Sequence, residues 1–441
     1  MRYTLVVNDR KPKHTQLQRQ VGVWGAVFMG LGAMVGTGVF FSIFLAAQVA
    51  GPSVILATFL AAIVAACNGL SSAQLAAAHP VSGGTYEYGY KYLTPQLGFT
   101  AGWMFLIAKS ASAATAALAA TAYIVVFLRD WLSPTLPDAL GVGVLLAILI
   151  GITLIVYLGI QRSNTANIMI VSVTLFALSA YILGCLPMAF DSGGEAFKPF
   201  FKDGASGVLH ATALMFVAYT GYGRIATLGE EVKEPARTIP MAIVTTMTAT
   251  SLLYVAVAAV SVAIPGTSGQ FTGLQRQAAI VDLPGLVPIV TIGAITAMLG
   301  VLLNLVLGLS RVLLAMGRRE DAPSTFAHID PKHHSPQHSV IGVAVIVLIF
   351  TLLGDIKLAW SFSAFTVLIY YSITNLAALK QPGEERRYPR IIQYVGLFSC
   401  LFLAFQVDVR TWQIGIGLIL TGLAWHTVAH RRRLAETGKA D

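Results

Sequence analysis

The sequence predicts an all-α integral membrane protein of twelve transmembrane helices, and three observations carry that expectation. Of 441 residues, 56% are hydrophobic and only 11% are charged, less than half the roughly 25% charge with which an ordinary soluble domain faces water. Long stretches hold no Asp, Glu, Lys or Arg at all, as from Val21 to Ala78, and about 18 apolar residues already suffice to span lipid. The basic residues are also divided unevenly between alternate loops, as expected of a polytopic protein. A soluble enzyme is excluded by composition. So is a disordered chain, which would be less apolar and more charged.

Hydropathy places the spans at 21–46, 51–78, 98–128, 140–159, 165–187, 206–229, 239–264, 285–316, 339–354, 357–379, 391–407 and 411–429. Both tails, 1–20 and 430–441, then lie on one side with most of the 29 Lys and Arg residues. The opposite side holds Arg129, Lys198, Lys202, Arg276, Lys357 and Arg410. That asymmetry predicts a multi-pass protein of the cell (inner) membrane with both termini cytoplasmic. The N-terminal tail carries Arg10, Lys11, Lys13 and Arg19 without the apolar core of a removable signal peptide, so the first span is expected to stay. The net charge of +9 therefore reads as an orientation signal with some attraction to anionic lipid, and nucleic acid is excluded as a partner. Cys67, Cys185 and Cys400 all fall inside spans and read as small buried hydrophobes. His328, His333, His334 and His338 crowd one loop without regular ligand spacing, so a solvated loop is expected and no metal or cofactor.

Two charges remain inside the spans. Lys109 lies about twelve residues into the third, roughly 18 Å deep, and Arg224 lies in the sixth, ahead of Glu230 and Glu231. The acidic residues are all assigned to loops, tails or span ends. An ionisable group at such depth marks a pathway or binding site by default. The plain alternatives are that Lys109 binds helix carbonyls, and that Arg224 snorkels to the headgroups or pairs with Glu231.

Two spans carry glycine clusters where a helix is expected to break. The first contains Gly32-Ala33-Met34-Val35-Gly36-Thr37-Gly38, and the sixth Thr220-Gly221-Tyr222-Gly223-Arg224. Each glycine weakens a helix by about 1 kcal/mol relative to alanine, though glycines also let helices pack closely. Breaks in the first and sixth spans correspond if spans one to five and six to ten are inverted repeats, the pattern that points to a midplane site. Freed N–H groups attract a carboxylate and freed carbonyls an ammonium. A zwitterion offers both. Met34, Val35, Gly36, Thr37 and Gly38, with Tyr219, Gly221, Tyr222, Gly223 and Arg224, are the candidate cradle, joined by Lys109 and position 113 (Ala113) on the third span. A bulky residue at Gly36 or Gly38 is expected to abolish binding and leave folding intact.

Gly36-Thr37-Gly38 followed by Phe40 resembles the Gly-x-Gly signature in the first helix of the amino acid–polyamine–organocation permeases. Further matches follow in register over at least 20–380: Ala50-Gly51-Pro52, the Pro80 to Tyr88 loop with Gly83-Gly84-Thr85-Tyr86, the Glu230 to Pro240 segment, and Ser310-Arg311 with Met316. The resemblance implies a LeuT-like five-plus-five inverted repeat (21–187 and 206–379) with discontinuous helices 1 and 6, and two extra helices in 391–429. It implies secondary transport of an amino acid by alternating access. Many members carry a lysine in the fifth helix where sodium sits in sodium-coupled relatives. Here Ser172 to Thr174 fall at that place, so the coupling candidates are Lys109, for proton-linked transport or exchange, Ser172 and Thr174, whose hydroxyls suit sodium in the alternative, and Asn304.

Two cations without a counter-charge predict that the substrate is neutral or acidic, not cationic, because like charges at 4 Å cost about 4 kcal/mol at an effective dielectric of 20. Competing readings are a sodium-coupled permease for another small amine or organic anion, and an ion or solute channel, which paired breaks suit less well. An intramembrane enzyme is not expected, since the spans lack paired catalytic groups. Expected partners are a small amino acid and membrane lipids, with a homodimer left open.

Overall fold

The computed structural model describes residues 17–131, 137, 139–191, 194–264, 273–353 and 356–437. Arg10, Lys11 and Lys13 and the side chain of Lys357 lie outside the described part. The helices in chain order are α1 (Val23–Met34), α2 (Ile43–Ala50), α3 (Val54–Ala78), α4 (Thr85–Tyr92), α5 (Pro95–Trp131), α6 (Ala139–Tyr157), α7 (Ile160–Asp191) and α8 (Gly204–Tyr219). They continue with α9 (Gly223–Thr227), α10 (Pro235–Ala263), α11 (Leu274–Val281), α12 (Leu286–Arg318), α13 (Gln337–Leu353), α14 (Ile356–Lys380), α15 (Arg390–Ala404) and α16 (Val409–Thr437). The described residues contain isolated bridges but no strand.

Among the described residues, seven helical stretches are long and apolar enough to cross a membrane, or up to eight if Arg390–Ala404 and Val409–Thr427, bent by 114°, form one. The remaining expected spans are short or interrupted. α8 has 16 residues and α9 has 5, so neither is a full crossing by itself. The fifth span begins at Ile160, earlier than the expected 165, directly after Gly159 turns the chain at φ +107°. Gly51, at φ +62°, makes the corresponding turn between α2 and α3. Hydropathy does not signal α4 or α11, because both are short and mix polar with apolar residues.

α12 runs through the middle of the bundle, packed against α1, α5, α6, α7 and α13, and almost its whole length from Ala297 to Gly317 is buried. Helices of the bundle approach closely because they present alanines: Ala57, Ala61 and Ala65 on α3, which packs on α8 and α10, and Ala113, Ala116, Ala117 and Ala120 on α5, which packs on α12, are fully buried. Leu146, Ile150, Leu154, Phe176, Leu183, Leu252, Leu352 and Phe398 point outward. A coat of that kind fits lipid and not water.

At the end of the bundle that carries residues 17–22, acidic and basic side chains lock the elements together. Arg311 of α12 donates from Nε and Nη2 to the Glu231 carboxylate at 3.0 and 2.7 Å, and both side chains are fully buried. The Glu231 carbonyl accepts from the Gln20 and Val21 N–H groups, each at 2.9 Å, which ties the segment before α1 to the segment after α9. Arg318 holds Glu230, Arg319 holds Glu87, and the Tyr86 and Tyr90 hydroxyls donate to Asp321 at 2.7 and 2.6 Å. This corrects the charge reading. Arg311, within the expected span 285–316, is a third cation inside an apolar helix, and Glu231, just past the end of the sixth span, is an acid buried beside it.

Breaking one partner of a fully buried pair leaves an uncompensated charge, at a cost of about 3–5 kcal/mol. Glu231→Gln and Arg311→Met are each expected to lower the thermal unfolding midpoint in detergent sharply, and the double variant Glu231→Leu/Arg311→Met to recover most of the loss. The partly exposed pair gives the control: Arg318→Ala should cost about 1 kcal/mol or less. Equal losses for the buried and the exposed pair would refute this account.

Candidate functional site

The two glycine clusters are real interruptions, and they meet. α1 ends at Met34, and Val35 leaves the helical region with φ −76° and ψ 77°. The Gly36 N–H turns back to the Met34 carbonyl at 2.8 Å, and the chain resumes through a wide helical turn, Gly38–Ser42. α8 ends at Tyr219, and a tight turn over Thr220–Tyr222 leads into α9. A Cβ on Gly221 would lie 2.6 and 2.7 Å from the carbonyl carbon and oxygen of Ala33, so only glycine allows the two breaks to touch.

A tyrosine from a third helix ties them. Tyr254 of α10 is fully buried, with its hydroxyl 2.5 Å from the Met34 carbonyl and 3.3 Å from the Ala218 carbonyl. No motif singles out Tyr254 in the sequence. The one available signal is a lone phenol in an apolar span, which needs a buried acceptor.

Met34, Val35, Gly36, Thr37, Gly38, Tyr219, Gly221, Tyr222 and Gly223 are thus brought together, all buried. The glycines also serve packing. A Cβ on Gly36 would overlap Val301 and stand 2.8 Å from the Ala297 carbonyl, and one on Gly38 would overlap the Tyr254 hydroxyl. A bulky residue at either position disturbs helix contacts as well as the site. The expectation that folding stays intact is corrected accordingly.

Lys109 of α5 reaches the second break. Its Nζ donates to the Thr220 hydroxyl at 2.9 Å, which itself donates to the Val217 carbonyl at 2.7 Å. Tyr371 of α14 donates to the Thr220 carbonyl at 3.0 Å. Position 113 is Ala113, fully buried and without a polar group. The nearby hydroxyl belongs to Ser112, which bonds the Ala108 carbonyl and Ser363.

Arg224 neither snorkels nor pairs with Glu231. It is 4% exposed, and its guanidinium carbon stands 5.0 Å from the centroid of the Phe105 ring. Its Nε and Nη1 have no hydrogen-bond partner. Gly308 of α12 faces it so closely that a Cβ there would overlap Nη1. Among the described residues neither Lys109 nor Arg224 forms an ion pair, and Glu230 and Glu231 are engaged by Arg318 and Arg311.

The other coupling candidates lie elsewhere. Ser172 is exposed on α7 and bonds the Ile168 carbonyl, so it does not join the site. Thr174 is buried, 3.0 Å from the Thr296 hydroxyl. Asn304 donates to Asn167 Oδ1 at 2.5 Å and to the Gly300 carbonyl, while Asn167 donates to the Phe28 carbonyl at 2.7 Å. That chain links α12, α7 and α1 just ahead of the first break. Among the loop histidines, His333 contacts Asp330 at 2.8 Å and His334 contacts Gln18. No group of three metal-ligating side chains occurs among the described residues.

Apolar helices wrapped around two interrupted ones, with cations buried at the interruptions, define a multi-pass membrane protein of the permease class. The chain belongs to the amino acid permease family of the amino acid–polyamine–organocation superfamily, whose family model matches residues 25–422. It is 37% identical over 437 residues to an uncharacterized transporter of Mycobacterium tuberculosis, covering 97% of this chain and 95% of the relative. It is 28% identical over 446 residues to the branched-chain amino acid permease of Bacillus subtilis, covering 94% of each. It is 26% identical over 425 residues to the methylthioribose transporter of the same organism, covering 91% of each.

Removing the Tyr254 hydroxyl takes one of two donors from the Met34 carbonyl, which keeps the Gly36 N–H, so the cost is that of an ordinary hydrogen bond, about 0.5–1.5 kcal/mol. Tyr254→Phe is expected to lower the unfolding midpoint modestly and to weaken ligand binding more than Tyr181→Phe, a substitution at another buried tyrosine of the bundle. A Tyr254→Phe protein with wild-type stability and binding would remove Tyr254 from this role.

Proposed function

We propose that the protein is a secondary carrier of the cell membrane that moves an amino acid by alternating access. The observation that carries this reading is the meeting of the breaks at Met34–Gly38 and Tyr219–Gly223, where regular α-helical pairing gives way to turns beside Lys109. Free N–H groups suit the substrate carboxylate and free carbonyls its ammonium group. Two halves, 21–187 and 206–379, would rock about this site as inverted repeats within a twelve-span chain, both termini in the cytoplasm.

Neutral or acidic amino acids fit better than cationic ones, because Lys109 and Arg224 stand at or beside the site without an ion-pair partner among the described residues. The branched-chain substrate named for the Bacillus relative is consistent with a neutral zwitterion. Lys109 is the proposed coupling group, losing and regaining a proton as the cavity opens and closes. The outward position of Ser172 weighs against a sodium site at that place. A carrier of this kind carries out no chemistry on its substrate.

Purified protein in liposomes is expected to show saturable counterflow of amino acids, with arginine and polyamines as poor competitors. A ligand at a hundred times its Kd should stabilise the protein by about 2.7 kcal/mol. Lys109→Ala is expected to abolish the response of uptake to an imposed pH gradient. Strict sodium dependence that ignores Lys109→Ala, or inhibition by arginine alone, would defeat the reading.

A further inference from the structure

We infer that Arg224 is the receptor for a second carboxylate on the substrate, so that the molecule carried is a dicarboxylic amino acid of the aspartate or glutamate kind. This rests on the amino acid transport reading above and narrows its substrate class.

Arg224 is buried, yet two of its guanidinium nitrogens have no acceptor among the described residues. A buried cation in that condition is costly, and the usual remedy is a paired anion. The chain does not supply one among the described residues, although it does so for its other buried arginine: Arg311 has a bidentate partner in Glu231. Arg224 has the Phe105 face on one side, which attracts the cation without neutralising it. On the other side is Gly308, whose missing side chain leaves the room that Nη1 occupies. A carboxylate would take Nε or Nη1 together with Nη2, the two edges along which a guanidinium presents parallel N–H donors.

The position relative to the break places the guanidinium next to the site. Phe105 precedes Lys109 by four residues on α5, and Thr220 precedes Arg224 by four on the other chain segment, so the Arg224–Phe105 contact and the Lys109–Thr220 contact join the same two segments about one helical turn apart. An amino acid whose own carboxylate and ammonium occupy the breaks would direct its side chain along these segments, and a carboxylate at its end would supply the anion that Arg224 lacks. A neutral substrate would leave Arg224 buried and unpaired.

The test compares acids with their isosteric amides in counterflow: glutamate against glutamine, and aspartate against asparagine. In the wild type the acids should compete better by on the order of ten- to a hundredfold. Arg224→Gln should bring the ratio close to one by weakening the acids and sparing the amides, and Gly308→Ala, which presses on the guanidinium, should move the ratio the same way. Amides as effective as acids in the wild type would overturn the inference whether or not Arg224→Gln folds. So would an acid preference that survives in Arg224→Gln. Neutral uptake that requires chloride in the wild type but not in Arg224→Gln would assign the guanidinium to an inorganic anion and overturn it as well. Counterflow of neutral amino acids alone defeats this inference and leaves the transport reading standing, whereas no counterflow of any amino acid defeats the transport reading itself.

Discussion

A peptide group freed from helical pairing inside hydrocarbon has no water to turn to, and this constraint organises the centre of the molecule. Two helices stop part-way, at Met34 and at Tyr219. Such interruptions survive only where neighbouring protein takes up the loose backbone groups. Tyr254 does this for the Met34 carbonyl, Tyr371 does it for the Thr220 carbonyl, and the Asn167–Asn304 pair braces the turn before the first break. The glycines permit the arrangement because Gly221 can stand against Ala33 only without a side chain. The helices that supply these groups, α7, α10, α12 and α14, are thereby fixed around the breaks.

The buried charges divide by what each one meets. Arg311 and Glu231 form a closed pair, and its geometry also fastens the start of α1 to the end of α9. That pair is structural, and each nitrogen of Arg311 already has an acceptor within the protein: Nη1 bonds the Ser310 hydroxyl. Lys109 and Arg224 differ. Each is held by weak or neutral neighbours, a hydroxyl in one case and an aromatic face in the other. A charge that the protein itself leaves without an opposite charge favours anionic groups brought from outside, and this is the physical root of the expected substrate preference.

Much of this is legible in the amino-acid sequence. The glycine clusters point to both breaks, because glycine density in an otherwise helical run is a local property of the chain. Lys109 and Arg224 stand out because charge is rare in these spans. The omission of Arg311 from the charges inside the spans, and of its pairing with Glu231, has the same origin. Both lie near span ends, where hydropathy cannot distinguish a solvated charge from one buried against a neighbouring helix. Ser172 shows the matching limit for neutral residues, since which face of an apolar helix turns inward depends on its neighbours.

By itself, the sequence determined that the chain is helical and membrane-embedded, that two spans are interrupted, and which family it joins. These follow from composition, local propensity and short motifs, which need no knowledge of what lies across the bundle. Only the tertiary structure decided that the interruptions touch, that Tyr254 pins them, that Thr220 receives Lys109, and that Arg224 lies against Phe105 without an acid among the described residues. Each of those contacts joins residues far apart in the chain. In a helix apolar on every side, periodicity carries no signal of facing, so packing alone selects the partners.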